Sequence, residues 1–406
     1  MNASSSRTGA AVEEPPIASF EVRISDDSLR DLERRLVNAR LAAVESDPGW
    51  DLGMNPQYLR QLLAYWRTDF DWRAQERSLN ALDHFLATVS GTRLHFVHAK
   101  GRGPAPLPLL LTHGFPDSFH RFHKLIPLLT DPASHGADPA DAFHVVAPSL
   151  PGYGWSEARP GHGGLFGFGD VLHALMRDVL GYERFGAHGG DWGSTITEQI
   201  ARSHGGSLVG IHLTDVPFWH AFRKPKSATA AEKKYLAEIA GFQKGKGAYA
   251  LIQGSRPRTL EVGLLDSPAG LAAWIIEKFQ EWSDCGGDLE TCFTKDELLT
   301  NVMVYWTTET IGTSLQPYSD VMGAGAVRWM KEAAKNLIGS KSTPAGFAMF
   351  PKDLSSAPRE WAERFFQVSR WTEMPRGGHF AAMEQPELLA EDIRAFFRPL
   401  REPRKR

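Results

Sequence analysis

The run Ala187-His188-Gly189-Gly190-Asp191-Trp192-Gly193-Ser194 sets an acid among small residues. Its spacing is that of a strand-to-helix nucleophile elbow, small-x-nucleophile-x-small. Such a turn is too tight for a Cβ at either flank, so glycine is favoured there. An aspartate at the nucleophile position narrows the chemistry. A serine oxygen that attacks sp3 carbon leaves an ether, which water does not readily remove. A carboxylate leaves an ester, which water cleaves at the carbonyl. The pattern therefore predicts covalent substitution at saturated carbon, with an epoxide or an alkyl halide as electrophile. Taken without its surroundings, the same segment reads as an ordinary loop with a solvated aspartate.

Two further groups complete the chemistry. His379, in RGGHFAAMEQP, follows the last predicted strand and precedes a helix, and is the candidate general base. Its acidic partner is Asp353, after the strand TPAGFAMF, or Asp215, after GIHLT; Asp353 is favoured. The acid would fix the tautomer of the ring and stabilise the imidazolium. The order nucleophile, acid, histidine is the one α/β-hydrolases use. In that fold the loop HGFPDS would supply one oxyanion-hole N–H from Phe115, and Trp192 the other, with His113, Gly114 and Pro116 shaping the loop. By itself, His-Gly-x-Pro reads as a turn, and sequence does not fix the isomer of Pro116.

The elements around these residues read as an α/β fold. Residues 1–18 are small and polar and are expected to be disordered. Residues 19–83 show helical patterning, in SDDSLRDLERRLVNARL and PQYLRQLLAYWRTDFDW, with Ser25 or Asp26 as the first cap. Together they form an N-terminal segment against a main domain. From 84 to 217 a hairpin leads into alternating strands and helices, which predicts a mostly parallel sheet covered on both faces. Residues 218–320 read as an inserted helical cap. The core resumes over 321–400 with two strands and a closing helix. No internal repeat is found. GHGGLFGFGD lacks the lysine and the preceding strand of a phosphate loop and reads as a connection.

The bulk composition excludes several classes. The chain has 406 residues, 42% hydrophobic and 23% charged, with a net charge of -3 and a basic run only at Arg401–Arg406. Nothing there favours a nucleic-acid partner. Cys285 and Cys292 are the only cysteines, too few for a structural zinc site or a disulfide framework, and read as reduced thiols. The N-terminus has no signal-like apolar core, and no stretch approaches the roughly 20 apolar residues of a membrane span. The expectation is a cytoplasmic protein without a membrane anchor, metal or organic cofactor. A homodimer is compatible with the sequence, though no motif supports one. The 12 Trp, 23 Phe and 8 Tyr suit either a core or an apolar substrate cavity.

The chain resembles an epoxide hydrolase of the α/β-hydrolase fold, above all the branch containing the microsomal and juvenile-hormone enzymes. The resemblance runs through FEVRISDDSL, YLRQLLAYW and FDWRAQERSLN, through HGFPDS and GGDWGS, and through DSPAGLAAWIIEKF, LLTNVMVYWTTETI, GFAMFPKD and RGGHFAAMEQPELLAEDI. That covers most of residues 19–398. It implies conversion of a small hydrophobic epoxide to a vicinal diol, without a cofactor. It also implies two cap tyrosines that hydrogen-bond the epoxide oxygen, and Tyr249 in AYALIQ and Tyr318 in LQPYSD match those positions. From the residues alone, Tyr235 and Tyr305 are equal candidates. There are two departures: no membrane anchor like that of the microsomal enzymes is expected here, and Asp353 stands where their closest pattern has glutamate. A haloalkane dehalogenase shares the elbow, and the Trp192 indole could bind halide. However, those enzymes often carry asparagine where Phe115 stands, and paired tyrosines have no obvious use with halide. A non-catalytic binding protein would be free to lose the triad, whereas here each element is present in order.

Overall fold

The computed structural model describes residues 17–41, 49–158, 164–222, 225–323, 325–327, 331 and 341–401. In chain order its strands are β1 (Ala18–Phe20), β2 (His84–Val89), β3 (Thr92–Ala99), β4 (Leu107–Thr112), β5 (Phe143–Pro148), β6 (Phe185–Gly189), β7 (Leu208–Leu213), β8 (Pro344–Met349) and β9 (Gln367–Glu373). They form one sheet in the order β1-β2-β3-β5-β4-β6-β7-β8-β9. Pairing is antiparallel from β1 to β5 and parallel from β5 to β9. The apolar runs of β4 and β5 are buried, as a sheet covered on both faces requires. β2 and β3 are joined through Ser90 and Gly91, both at positive φ, the conformation that matches the twist of a two-residue hairpin.

The N-terminal segment departs from the helical expectation at one point. Ala18–Phe20 pairs with β2 as an edge strand, so the expected disorder of 1–18 does not extend to its last residue. Three residues are too few to carry a period-two signal. Residues 1–16 and 402–406 lie outside the described residues. Ser25 caps the helix Asp26–Val37 by accepting from Ser28 N at 3.1 Å. Two side chains at the helix Trp72–Leu79 fasten the extended chain that precedes it. Asn80 bonds both the N–H and the carbonyl of Val22, and Glu76 accepts from Ile24 N.

Between β7 and β8 the chain forms the cap, with helices Ala230–Gly245, Ala248–Ser255, Pro257–Asp266, Pro268–Trp282, Lys295–Thr308 and Gln316–Met322. Capping boxes start two of these, Thr229 with Glu232 and Thr294 with Glu297. The N-terminal segment reaches the cap as well as the sheet: Tyr65 donates to Asp296 at 2.8 Å, and Arg35 to the Asp266 carbonyl at 2.7 Å. Among the described residues, no single helix is long and apolar enough to cross a membrane.

A buried polar network links the parallel strands. His188 of β6 bonds His212 of β7 at 3.0 Å, and His212 bonds Asp392 at 2.9 Å. Asp392, on the closing helix Pro386–Phe397, also accepts from Arg370 and Thr372 of β9. Burial opposes its charge, but these three donors more than offset it and hold the carboxyl below its usual range. Removing one member of a buried charged network strands the others. Asp392→Ala is therefore expected to lose about 3 kcal/mol in chemical denaturation at pH 7. Because the folded-state pKa is depressed, the Asp392 contribution is full above the ordinary carboxylate pKa and fades as pH falls below it. The gap between wild type and variant should narrow in acid; a constant gap would contradict the assignment.

Candidate active site

β6 ends at Gly189, and two residues later Asp191 turns the chain into the helix Trp192–His204. Asp191 adopts φ 56 and ψ -128, a conformation that an L-residue rarely holds. A Cβ at Gly193 would overlap the Thr112 carbonyl, and one at Gly189 would overlap the Gly193 carbonyl. The turn exists because both positions lack a side chain. Asp215, just after β7, stabilises it from behind. Its Oδ1 accepts from Asp191 N at 3.0 Å and its Oδ2 from Ser194 Oγ at 2.7 Å.

The two oxygens of the Asp191 carboxylate have different neighbours. Phe115 N–H donates to Oδ1 at 2.8 Å, and the Trp192 N–H lies near enough to the carboxylate to favour its charged form. Oδ2 lies 3.6 Å from His379 Nε2. The other ring nitrogen, Nδ1, is 2.7 Å from Asp353 Oδ1. Asp191, His379 and Asp353 therefore form a continuous line, and Asp215 lies beside it, engaged with the elbow. The His379 N–H donates to the Trp282 carbonyl at 2.8 Å, which ties the histidine loop to the end of a cap helix.

The electrostatics follow from burial and proximity. Burial raises the Asp191 pKa, while His379 and the Phe115 and Trp192 N–H groups oppose the rise. For His379, burial disfavours the imidazolium, but the Asp353 charge and hydrogen bond, with help from Asp191, push its pKa up to about 9. Burial, then the nearby Asp353 charge, push Asp215 up to about 7. The resting pair thus favours a proton on His379.

The oxyanion loop is shaped by internal bonds. The Phe115–Pro116 peptide is cis. His113 Nε2 accepts from Leu150 N at 3.1 Å, which leaves Nδ1 to donate to the Gly114 carbonyl at 3.0 Å. Gly114 N donates to Asp117 Oδ1 at 3.0 Å.

A cavity of about 470 Å³ opens over Asp191. Tyr249 and Tyr318 line it, on the facing helices Ala248–Ser255 and Gln316–Met322, with their rings edge to face at 5.9 Å. Burial lifts both phenols above their usual range, with smaller contributions from the Asp191 charge. The rest of the wall includes Phe218, Ile239, Phe242, Leu251 and Val321. The other two tyrosine candidates are placed elsewhere. Tyr305 donates to the Asp117 carbonyl at 2.6 Å, and Tyr235 packs against Trp361. Sequence reasoning passed over Arg121, whose Nη2 donates to the His379 carbonyl at 2.9 Å. It also missed the part of Asp215 in the elbow. A four-residue offset from Asp117 was the one available sign of Arg121.

A family model described as epoxide hydrolase N terminus matches residues 17–122, and one described as alpha/beta hydrolase fold matches residues 108–255. The chain is 37% identical to epoxide hydrolase 1 of Sus scrofa, over 95% of this chain and 90% of the pig protein. It is 33% identical to juvenile hormone epoxide hydrolase 2 of Ctenocephalides felis, over 92% and 84%. The crystal structure of juvenile hormone epoxide hydrolase from the silkworm Bombyx mori matches with a TM-score of 0.83 at 28% identity, covering 95% of each chain.

The His379 environment can be checked by titrating its imidazole by NMR. The folded protein should hold the ring charged through neutral pH, with an apparent pKa of about 9. Asp191→Asn removes one of the charges that favour the imidazolium, so the midpoint should fall. Asp353→Asn should lower it further, because Asp353 supplies the larger effect. An unchanged midpoint in Asp353→Asn would contradict this electrostatic reading.

Proposed function

The chain belongs to the epoxide hydrolases of the α/β-hydrolase fold, and from that membership we propose a two-step reaction through an ester of Asp191. The observation that carries it is the asymmetry of the carboxylate: Oδ1 rests on the Phe115 N–H, while Oδ2 remains for attack, next to His379.

In the first step, Tyr249 and Tyr318 hold the oxygen of a small hydrophobic epoxide. Asp191 Oδ2 attacks a ring carbon, the carbon–oxygen bond breaks, and a phenol protonates the forming alkoxide. The result is a hydroxyalkyl ester and a tyrosinate. Esterification removes the Asp191 charge that helps hold the proton on His379. The imidazolium then gives its proton back to the tyrosinate and becomes a base when one is needed.

In the second step, His379 Nε2 takes a proton from water, and the hydroxide equivalent attacks the Asp191 carbonyl carbon. The negative charge collects on Oδ1, where Phe115 and Trp192 donate to it. The bond to Oδ2 breaks, and the imidazolium protonates the departing diol. The remaining acid proton on Asp191 passes to His379 and restores the resting pair. Asp353 keeps the ring oriented throughout. Atoms balance as epoxide plus water giving a vicinal diol. The apolar cavity wall suits a lipophilic substituent on the epoxide.

Blocking the second step should trap the first. His379→Gln, exposed to a panel of epoxides, is expected to gain the full mass of one epoxide, mapped to Asp191. Asp191→Asn, kept free of deamidation, should neither gain mass nor form diol. An adduct on another residue, or diol formation by Asp191→Asn, would overturn the mechanism. Tyr249→Phe and Tyr318→Phe should each slow ester formation by about 10²-fold, in line with loss of general-acid assistance. Ester decay in these variants should change far less.

A further inference from the structure

A buried ion pair connects the oxyanion loop with the histidine loop, and neither member touches the cavity. Arg121 lies in the short turn of helix Phe119–Phe122. Its Nη1 stands 2.5 Å from Asp117 Oδ2, with side chains only 3% and 1% exposed. Its Nη2 donates to the His379 carbonyl at 2.9 Å. The other oxygen of Asp117 accepts from Gly114 N, one residue before the Phe115 N–H that holds Asp191 Oδ1. Five groups therefore run in one line: Phe115 N–H, Gly114 N–H, Asp117, Arg121 and the His379 backbone. The cap fixes the same loop from outside. Asn301 donates to the Pro116 carbonyl and Tyr305 to the Asp117 carbonyl.

Stability alone is a poor reason for such a pair. Taking two charges out of water is costly, and well-packed apolar residues often serve a fold as well or better. An apolar pair, however, could not grip a backbone N–H on one side and a backbone carbonyl on the other. A planar guanidinium can hold a carboxylate and a carbonyl at once in fixed directions, which a lysine cannot.

We propose that Asp117 and Arg121 are positioning residues that set the oxyanion-hole N–H of Phe115 and the general base His379 at their working separation, and so govern ester hydrolysis more than ester formation. The inference rests on the two-step reading above. Ester formation needs Asp191 Oδ2 and the tyrosines. Ester hydrolysis needs the oxyanion hole and the base at the same moment, so it is the step that feels their relative position. Arg121 also acts through its charge. The charged groups around His379 are Asp353, Asp191, Asp215, Arg121 and Glu384, which accepts from the N–H of Gly378 and Phe380 on either side of it, and Arg121 is the one cation among them and works against the imidazolium.

The test measures the two half-reactions separately, by rapid quench and intact mass, in Arg121→Lys, Arg121→Met and the pair Asp117→Asn with Arg121→Met. The paired variant removes both charges together and guards against simple unfolding. Ester formation should stay within about threefold of wild type, while ester decay slows about 10- to 100-fold, the scale of a small misplacement of a reacting group. In Arg121→Met the pH at which decay becomes fast should move upward, because the lost guanidinium no longer discourages the proton on His379. A folded paired variant whose ester decays at the wild-type rate would overturn the proposal. So would equal slowing of both steps with no change in the pH profile, the result of a merely structural role. Failure of His379→Gln to form any ester is a separate outcome, and would overturn the two-step reading on which the proposal stands.

Discussion

A carboxylate held in a left-handed turn is the constraint around which the molecule is arranged. Asp191 sits at φ 56 between β6 and its helix, where glycines at 189 and 193 leave room for the neighbouring carbonyls. Strain of this kind persists only when the surroundings over-determine it. Here they do so from several directions. Asp215 and Ser194 grip the elbow backbone, Phe115 N–H holds one carboxylate oxygen, and the parallel strands on either side of β6 fix where the turn can point. The sheet, the oxyanion loop and the cap each contribute one wall to the space above it.

Charge is the second organising feature. Asp191, Asp353, Asp215 and Asp117 crowd around His379 and Arg121 in a part of the protein that water scarcely reaches. Burial drives Asp191, Asp215 and Asp117 toward their neutral forms, while the two cations draw them back. This balance matters for chemistry because it changes during turnover. Once Asp191 becomes an ester, one negative charge is gone and the proton on His379 is held less tightly. On the proposed reading, the same two residues serve first as an ion pair and then as an ester beside a base.

Much of this was legible in the chain. The elbow at Asp191 is a local pattern of small residues around one functional group, and local patterns survive in sequence. His379 and Asp353 follow predicted strands in the expected order. The hairpin of β2 and β3 and the helical cap carry clear periodicity. What could not be read depends on long-range placement. Asp215 and Asp353 both follow parallel strands, and nothing local says that Asp215 turns to Asp191 N and Ser194 while Asp353 turns to His379. Four tyrosines of the cap look alike in sequence. Tyr305 faces the oxyanion loop because of the helix it is on, and the choice of Tyr249 and Tyr318 came from resemblance. β1 is too short to announce itself. Arg121 reaches a carbonyl 258 residues away, a contact that exists only once the sheet has formed.

The most direct test of the central claim follows the oxygen atoms. Enzyme in excess over a readily turned-over epoxide is mixed in water enriched in ¹⁸O, and the first turnover is stopped and analysed. If Asp191 Oδ2 forms the ester and water attacks its carbonyl carbon, the new hydroxyl of the diol comes from the protein. The diol should then be unlabelled, and the label should appear in the Asp191 carboxylate. A diol that carries ¹⁸O in its first turnover, with Asp191 unlabelled, would mean that water attacks the epoxide directly and would contradict the account.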